Sequence, residues 1–220
     1  MTLYGYWRSG ASWRVRSVLN LKGFTDEEIE YKYVHLVKDG GEQHSEAYKK
    51  LNPSELLPTL VIHAEDGDIV LSESLPICEY LEEAYPDRGQ KLLPADALNR
   101  FKVRRLCETI NAGTQPIQNL SVLQRIEKLA GAEAKIPWAV EVNKKGLATF
   151  EAFIADTKGT YCVGDQVTLA DCFLIPQLYN ADRFGLSLDD YPNIKAVRAA
   201  LDVLPEFIKA HANSQGDAVL

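Results

Sequence analysis

Leu57-Pro58-Thr59-Leu60-Val61-Ile62, Asp66-Gly67-Asp68, Ile69-Val70-Leu71 and Ser72-Glu73-Ser74 form the stretch that decides the fold. It reads as a strand entered through a proline, a hairpin turn, a second strand and a capped helix start. The helix that follows carries Ile77, Tyr80, Leu81 and Ala84 on one face. Upstream, residues 3–6 read as a strand and residues 9–12 as a turn. Val15, Val18, Leu19 and Lys22 then keep the i, i+3, i+4 rhythm of a helix, which Gly23 stops. Residues 30–36 read as a second strand, 38–41 as a turn and 43–51 as a short polar helix. The order βαβαββα, with a hairpin closing a βαβ unit, predicts an α/β domain with a mixed sheet.

Downstream the pattern changes. Residues 86–90 break it, and Leu92-Leu93-Pro94 completes a linker of turn residues. Beyond Ala95 no strand alternation recurs, and residues 99–110, 136–157, 168–184 and 194–210 read as helices. The predicted organisation is an α/β domain over residues 1–85, a linker over 86–94 and an all-helical domain over 95–220. Thr168-Leu169-Ala170-Asp171 has the form of a capping box with Asp in the acidic position. Pro176 is expected to kink the helix it opens.

The composition excludes several function classes. The chain has 220 residues, 46% of them hydrophobic and 25% charged, with a formal net charge of -7. That balance argues against a broad nucleic-acid surface. No stretch approaches the roughly 20 apolar residues of a membrane span, and residues 1–8 lack the pattern of a secretory signal. Cys78, Cys107, Cys162 and Cys172 form no C-x-x-C pair. They read as buried thiols suited to a reducing, cytoplasmic setting. No dinucleotide, Walker or G-x-S-x-G motif is present. His35, His44, His63 and His211 are scattered, and no metal site is expected.

Chemistry is concentrated at the first strand-to-helix turn. Ser9 and Ser12 stand where a helix N-terminus offers unpaired N–H groups, a place that favours an anion. The plain use of such a serine is capping. The sharper use is a hydrogen bond to a thiolate, which helix N-termini and cations stabilise, and Arg8, Arg14 and Arg16 crowd this one. Pro58 is either an ordinary strand-entry residue or a cis proline that turns the Leu57 backbone outward to pair with a peptide. Glu73-Ser74 either caps its helix or holds the ammonium and carboxylate of an amino acid.

Together these features resemble the cytosolic glutathione transferases, in which a thioredoxin-like domain with a cis proline precedes an all-helical domain. Tyr6-Trp7-Arg8-Ser9, Ser12-Trp13-Arg14-Val15-Arg16 and Leu19-Asn20-Leu21-Lys22-Gly23 look like the opening of the zeta class. Lys38-Asp39-Gly40-Gly41-Glu42-Gln43, Leu51-Asn52-Pro53, Gln115-Pro116-Ile117-Gln118-Asn119-Leu120-Ser121-Val122-Leu123, Tyr161-Cys162-Val163-Gly164-Asp165 and Asn180-Ala181-Asp182-Arg183-Phe184 continue the likeness over essentially the whole chain.

The resemblance implies glutathione as cofactor and Ser9 as the catalytic residue beside its thiolate. It implies Trp13 and Arg14 in the same turn, Gln43 toward the glycyl end, and Leu57 before cis-Pro58 on the cysteinyl backbone. Glu73 and Ser74 would hold the γ-glutamyl group, and Gln115, Asn119 and Ser121 would approach from the helical domain. The implied activity is cis–trans isomerisation of maleylacetoacetate, a small acidic substrate. Arg8 and Arg183 are the candidates for its carboxylates, and Arg14 could serve the same end. A homodimer that engages neither nucleic acid nor membrane is also implied. One departure stands out, because Gly10-Ala11 replaces the family's usual Ser-Cys after the serine. It keeps open glutathione transfer to α-haloacids or other small electrophiles. A noncatalytic interaction module of the same fold is the remaining alternative.

Overall fold

The computed structural model describes residues 1–219, which divide into two compact units, residues 1–91 with 204–219 and residues 92–203. In the first unit, strands β1 (Thr2–Gly5), β2 (Glu30–Tyr33), β3 (Thr59–Ala64) and β4 (Gly67–Ser72) form one sheet in the order β2-β1-β3-β4. β1 and β2 are parallel, and the remaining pairs are antiparallel. This is the mixed sheet expected from a hairpin closing a βαβ unit. Pairing of Ala64 with Gly67 leaves Glu65-Asp66 as the turn, so Gly67 and Asp68 belong to the strand.

Helix α1 (Gly10–Leu21) follows β1, α2 (Glu46–Leu51) precedes β3, and α3 (Ser74–Ala84) follows β4. Residues 9–12, read as a turn, are Ser9 as N-cap and the first turn of α1. Trp13, Val15, Val18, Leu19 and Leu21 of α1 are buried, as are Leu3, Leu60, Ile77 and Leu81, and these residues make up the core of this unit. Lys22 is buried too, paired with Glu82 of α3 at 2.7 Å. An ammonium this deep needs such a partner, because desolvation alone would be prohibitive.

The second unit contains α4 (Ala97–Asn111), α5 (Leu120–Ala130), α6 (Lys135–Ile154), α7 (Leu169–Arg183) and α8 (Pro192–Leu201). α7 is its centre, with Leu169, Cys172, Phe173, Leu174 and Leu178 all buried. Its capping box forms as the sequence predicts. Thr168 N–H and Oγ1 donate to Asp171 Oδ2 at 2.7 and 2.9 Å, and Cys162 N–H donates to Oδ1 at 2.9 Å.

Two differences from the sequence expectation concern the chain after residue 190. The single helix expected over 194–210 is two, because Pro205 lacks an N–H to continue α8 and instead starts α9 (Pro205–Ala210). Residues 204–219, expected in the helical domain, pack with the first unit. There Asn20 donates to the Glu206 carbonyl at 2.9 Å, and Trp13 stands edge-on to His211 at 4.8 Å.

Candidate active site

The sheet register gathers the chemistry of the first unit at one end. Tyr4 of β1 pairs with Thr59, and Thr59 pairs with Ser72. The exit of β1 toward Ser9, the entry of β3 from Leu57 and the exit of β4 toward Glu73 therefore lie together. Gly5 pairs with Tyr33, so the loop from β2 to Gln43 leaves from the same end. The N-termini of α1 and α3 start there as well, and both favour negative charge.

Ser9 caps α1 by accepting from the Ser12 N–H at 3.1 Å. A hydroxyl has one proton and two acceptor sites. Capping occupies an acceptor site, and the proton stays available to an acceptor from outside. Arg8, half-buried, lies with its guanidinium 4.7 Å from the Trp7 ring centroid. Trp13 is almost wholly buried, so its indole supports the turn from beneath. Arg14 is equally buried and donates from Nη1 to Ser74 Oγ at 3.0 Å, tying the start of α1 to the start of α3.

The Leu57–Pro58 peptide is cis. The β3 ladder begins only at Thr59, leaving the half-buried Leu57 outside it. Glu73, the N-cap of α3, has φ 69° and makes no side-chain capping bond. A non-glycine residue in the left-handed region at a helix entry is a costly conformation that points to use by a ligand. Gln43 is buried with its Oε1 lacking a hydrogen-bond partner, while its Nε2 lies 3.0 Å from His44 Nε2.

In the second unit, Gln115 precedes a short 3-10 turn at Pro116–Gln118, and Asn119 N-caps α5 through its Oδ1 on the Leu120 N–H at 2.8 Å. Ser121 is exposed in the first turn of α5. These three share one segment. Arg183 is exposed in the last turn of α7, its Nη1 3.5 Å from Asn180 Oδ1.

Two residues of the first unit act otherwise than the sequence suggests: Arg16, read only as a cation crowding the turn, and Asp217, not singled out at all. Arg16, nearly fully buried, donates to the carbonyls of Tyr6, Trp7 and Ala210 at 3.4, 3.0 and 3.1 Å. Burial pulls its pKa down to about 10, opposed by Tyr31, Asp217 and Tyr33, so it stays charged at neutral pH. Asp217 accepts the Trp7 N–H on Oδ2 at 3.0 Å. An arginine on a helix face otherwise given to burial was a signal for the first. Asp217, in a polar tail, carried none.

The chain matches the N-terminal domain model of glutathione S-transferases over residues 3–89 and the C-terminal domain model over residues 120–204. The chain belongs to the glutathione S-transferase family. A maleylacetoacetate isomerase of Rattus norvegicus is 43% identical to it, over 98% of this chain and 94% of that protein. A maleylpyruvate isomerase of Ralstonia sp is also 43% identical, over 99% and 100%. Among solved structures, a holo maleylpyruvate isomerase described as a bacterial zeta-class glutathione S-transferase superposes with TM-score 0.91 at 42% identity, covering all of both chains. A maleylacetoacetate isomerase of Anaeromyxobacter dehalogenans with bound glutathione superposes with TM-score 0.89 at 41% identity, over 99% of this chain and 97% of that one. The zeta-class likeness read from the sequence holds, as does the two-part transferase fold.

The first unit fits glutathione. The tripeptide brings an ammonium, two carboxylates, peptide groups and a thiol. The sheet end offers Glu73 in its strained entry, Ser74 and the α3 N-terminus, Leu57 outside the ladder, the buried Gln43 amide oxygen without a partner, and the Ser9 hydroxyl.

Proposed function

We propose that this chain is a glutathione-dependent isomerase that converts maleylacetoacetate to fumarylacetoacetate. The observation that carries the reading is Ser9, which caps α1 as an acceptor and keeps its proton for a thiolate at the helix N-terminus. Rotation about an intact double bond is prohibitive, so a catalyst must make that bond transiently single. Glutathione, when bound, supplies a thiolate that adds reversibly across the cis double bond, permits rotation and leaves the trans form on elimination.

The chain's own residues bind, orient and hold charge. Ser9 donates to the sulfur, and the first N–H groups of α1 favour its ionised form. Glu73, with Ser74 and the α3 N-terminus, holds the γ-glutamyl group. Leu57 pairs with the cysteinyl backbone, and Gln43 reaches the glycyl end. Arg14 acts through Ser74, which it fixes by the 3.0 Å bond. The candidates for the substrate's carboxylates are Arg8 and Arg183, and the family likeness makes Gln115, Asn119 and Ser121 candidates for further polar contacts.

The identity with a maleylpyruvate isomerase favours a second reading, in which maleylpyruvate is the substrate. The two substrates share the cis-enone and both end in carboxylates, and they differ in the length of the keto tail. Gly10-Ala11 at the turn leaves transfer to small α-haloacids as the remaining alternative. The acting form is a homodimer, supported by Ile69 and Val70 of edge strand β4, exposed at 43% and 44%. Apolar residues on an edge strand call for cover. Four buried thiols suit a reducing cytoplasm.

Comparing kcat/KM for maleylacetoacetate and maleylpyruvate, with and without glutathione, tests the reading. Glutathione-dependent turnover that favours maleylacetoacetate supports it. Preference for maleylpyruvate moves the assignment to the second substrate, and turnover of neither overturns isomerisation.

A further inference from the structure

The turn that carries Ser9 is held from behind by the C-terminal tail. Trp7, two residues before Ser9, has both backbone groups engaged. Its N–H donates to Asp217 Oδ2 at 3.0 Å, and its carbonyl accepts from Arg16 Nη2 at 3.0 Å. The preceding carbonyl, Tyr6, accepts from Arg16 Nη1 at 3.4 Å and from the Ser9 N–H at 3.0 Å. Arg16 also grips the end of α9 through the Ala210 carbonyl at 3.1 Å. One buried guanidinium therefore joins the catalytic turn to the helix that launches the tail, and Asp217 closes the loop from the other side.

The tail is built to present that carboxylate. Gln215 Nε2 donates to the carbonyls of Lys209 and His211, both at 2.9 Å, and His211 Nδ1 accepts from the Asn213 N–H at 3.1 Å. Lys209 pairs with Asp26 at 2.7 Å. These contacts bring residues 209–217 back to the end of β1. Asp217 Oδ1 is buried without a hydrogen-bond partner, so the residue enters the turn at a desolvation cost that a purely surface tail would avoid.

We infer that Asp217 and Arg16 are positioning residues for the isomerase reaction, a two-sided clamp on Trp7 that sets where the Ser9 hydroxyl meets the bound thiol. This inference rests on Ser9 being the thiolate's partner. The groups that hold glutathione's two ends, Glu73-Ser74 and Gln43, are outside the clamp. Loosening it therefore acts on the sulfur and spares the rest of the cofactor.

The test is a titration of the thiolate absorbance of bound glutathione, with kcat and the glutathione KM, in wild type, Asp217→Ala, Asp217→Asn and Ser9→Ala, all well below each variant's melting temperature. Asp217→Ala is expected to lower kcat roughly tenfold, the scale of a small misplacement of a reacting group. It should raise the thiol midpoint by about half a unit or more, with glutathione KM changed less than twofold. Asp217→Asn keeps an oxygen acceptor for the Trp7 N–H and should recover most of the loss. If Asp217→Ala does not fold, Arg16→Lys, which keeps the charge and loses the fork, should shift the midpoint the same way. An unchanged midpoint and kcat in the folded Asp217 or Arg16 variant, with Ser9→Ala shifted, overturns the clamp. An unchanged midpoint in Ser9→Ala overturns the reading of Ser9 itself.

Discussion

At Ser9 the hydroxyl serves the helix as acceptor, and the donor use proposed for it toward a thiolate does not compete with that bond. The cysteines are the contrast. Burial pushes the Cys78 thiol up to about 12 and raises Cys162 well above its ordinary value, with Asp171 adding to the shift. All four cysteines are buried. A thiol reagent such as dithionitrobenzoate at pH 8 should therefore label none of them rapidly in the native protein and all four after denaturation. Rapid labelling of one would place a reactive thiol in the chain itself. The sequence pointed to Ser9, Leu57 and Glu73-Ser74 because each lies at a strand end or a helix start, where local pattern reveals position, and to Gln43 only through the family resemblance. It could not tell that Trp13 lies in the core, that Gln43 Oε1 is buried without a partner or that Asp217 reaches Trp7, because these depend on contacts across many residues of chain.

Elements were legible to the extent that they are local. The capping box of α7 follows from four consecutive residues, and it carries a prediction. Asp171→Ala strips the acceptor from two backbone N–H groups and the Thr168 hydroxyl. Urea unfolding should show a loss of roughly 1–3 kcal/mol per buried donor left unmet, counted once or twice; a loss under half a kcal/mol would contradict it. A second prediction concerns pH. The Arg88 guanidinium, donating to Glu28 at 2.5 Å, and the Thr25 backbone N–H hold the Glu28 carboxyl down at about 2, from an ordinary 4.5. A depressed carboxyl stabilises the fold above its unfolded value, and that contribution fades as pH falls from 4.5 toward 2. Replacing Glu28 with Gln should flatten the fall of the denaturation midpoint in this window and leave its slope near pH 7 unaltered. An unchanged acid slope would show that the pair contributes nothing. The end of α8 was missed because apolar spacing runs on through Pro205; the proline itself, which has no N–H and a ring that crowds the preceding turn, was the signal that one helix stops and another starts.

At the scale of the whole molecule, the order of an α/β unit and a helical unit could be read from the change of hydrophobic period near residue 90, and no helix is long and apolar enough to cross a membrane among the described residues. The return of residues 204–219 to the first unit could not, since nothing local distinguishes α9 from the helices before it. The exposed apolar pair on β4 predicts self-association. Light scattering should give twice the 24.6 kDa of the chain, falling toward one chain in Val70→Lys, and a wild-type monomer would contradict the homodimer. The central claim is that a bound thiolate, held by Ser9, does the isomerisation, and its most direct test is the cis–trans isomerisation rate of maleylacetone. The expected result is turnover that requires glutathione and falls roughly a hundredfold in Ser9→Ala, the scale of losing one preorganised donor. Turnover without glutathione, or a Ser9→Ala enzyme as fast as the wild type, would contradict it.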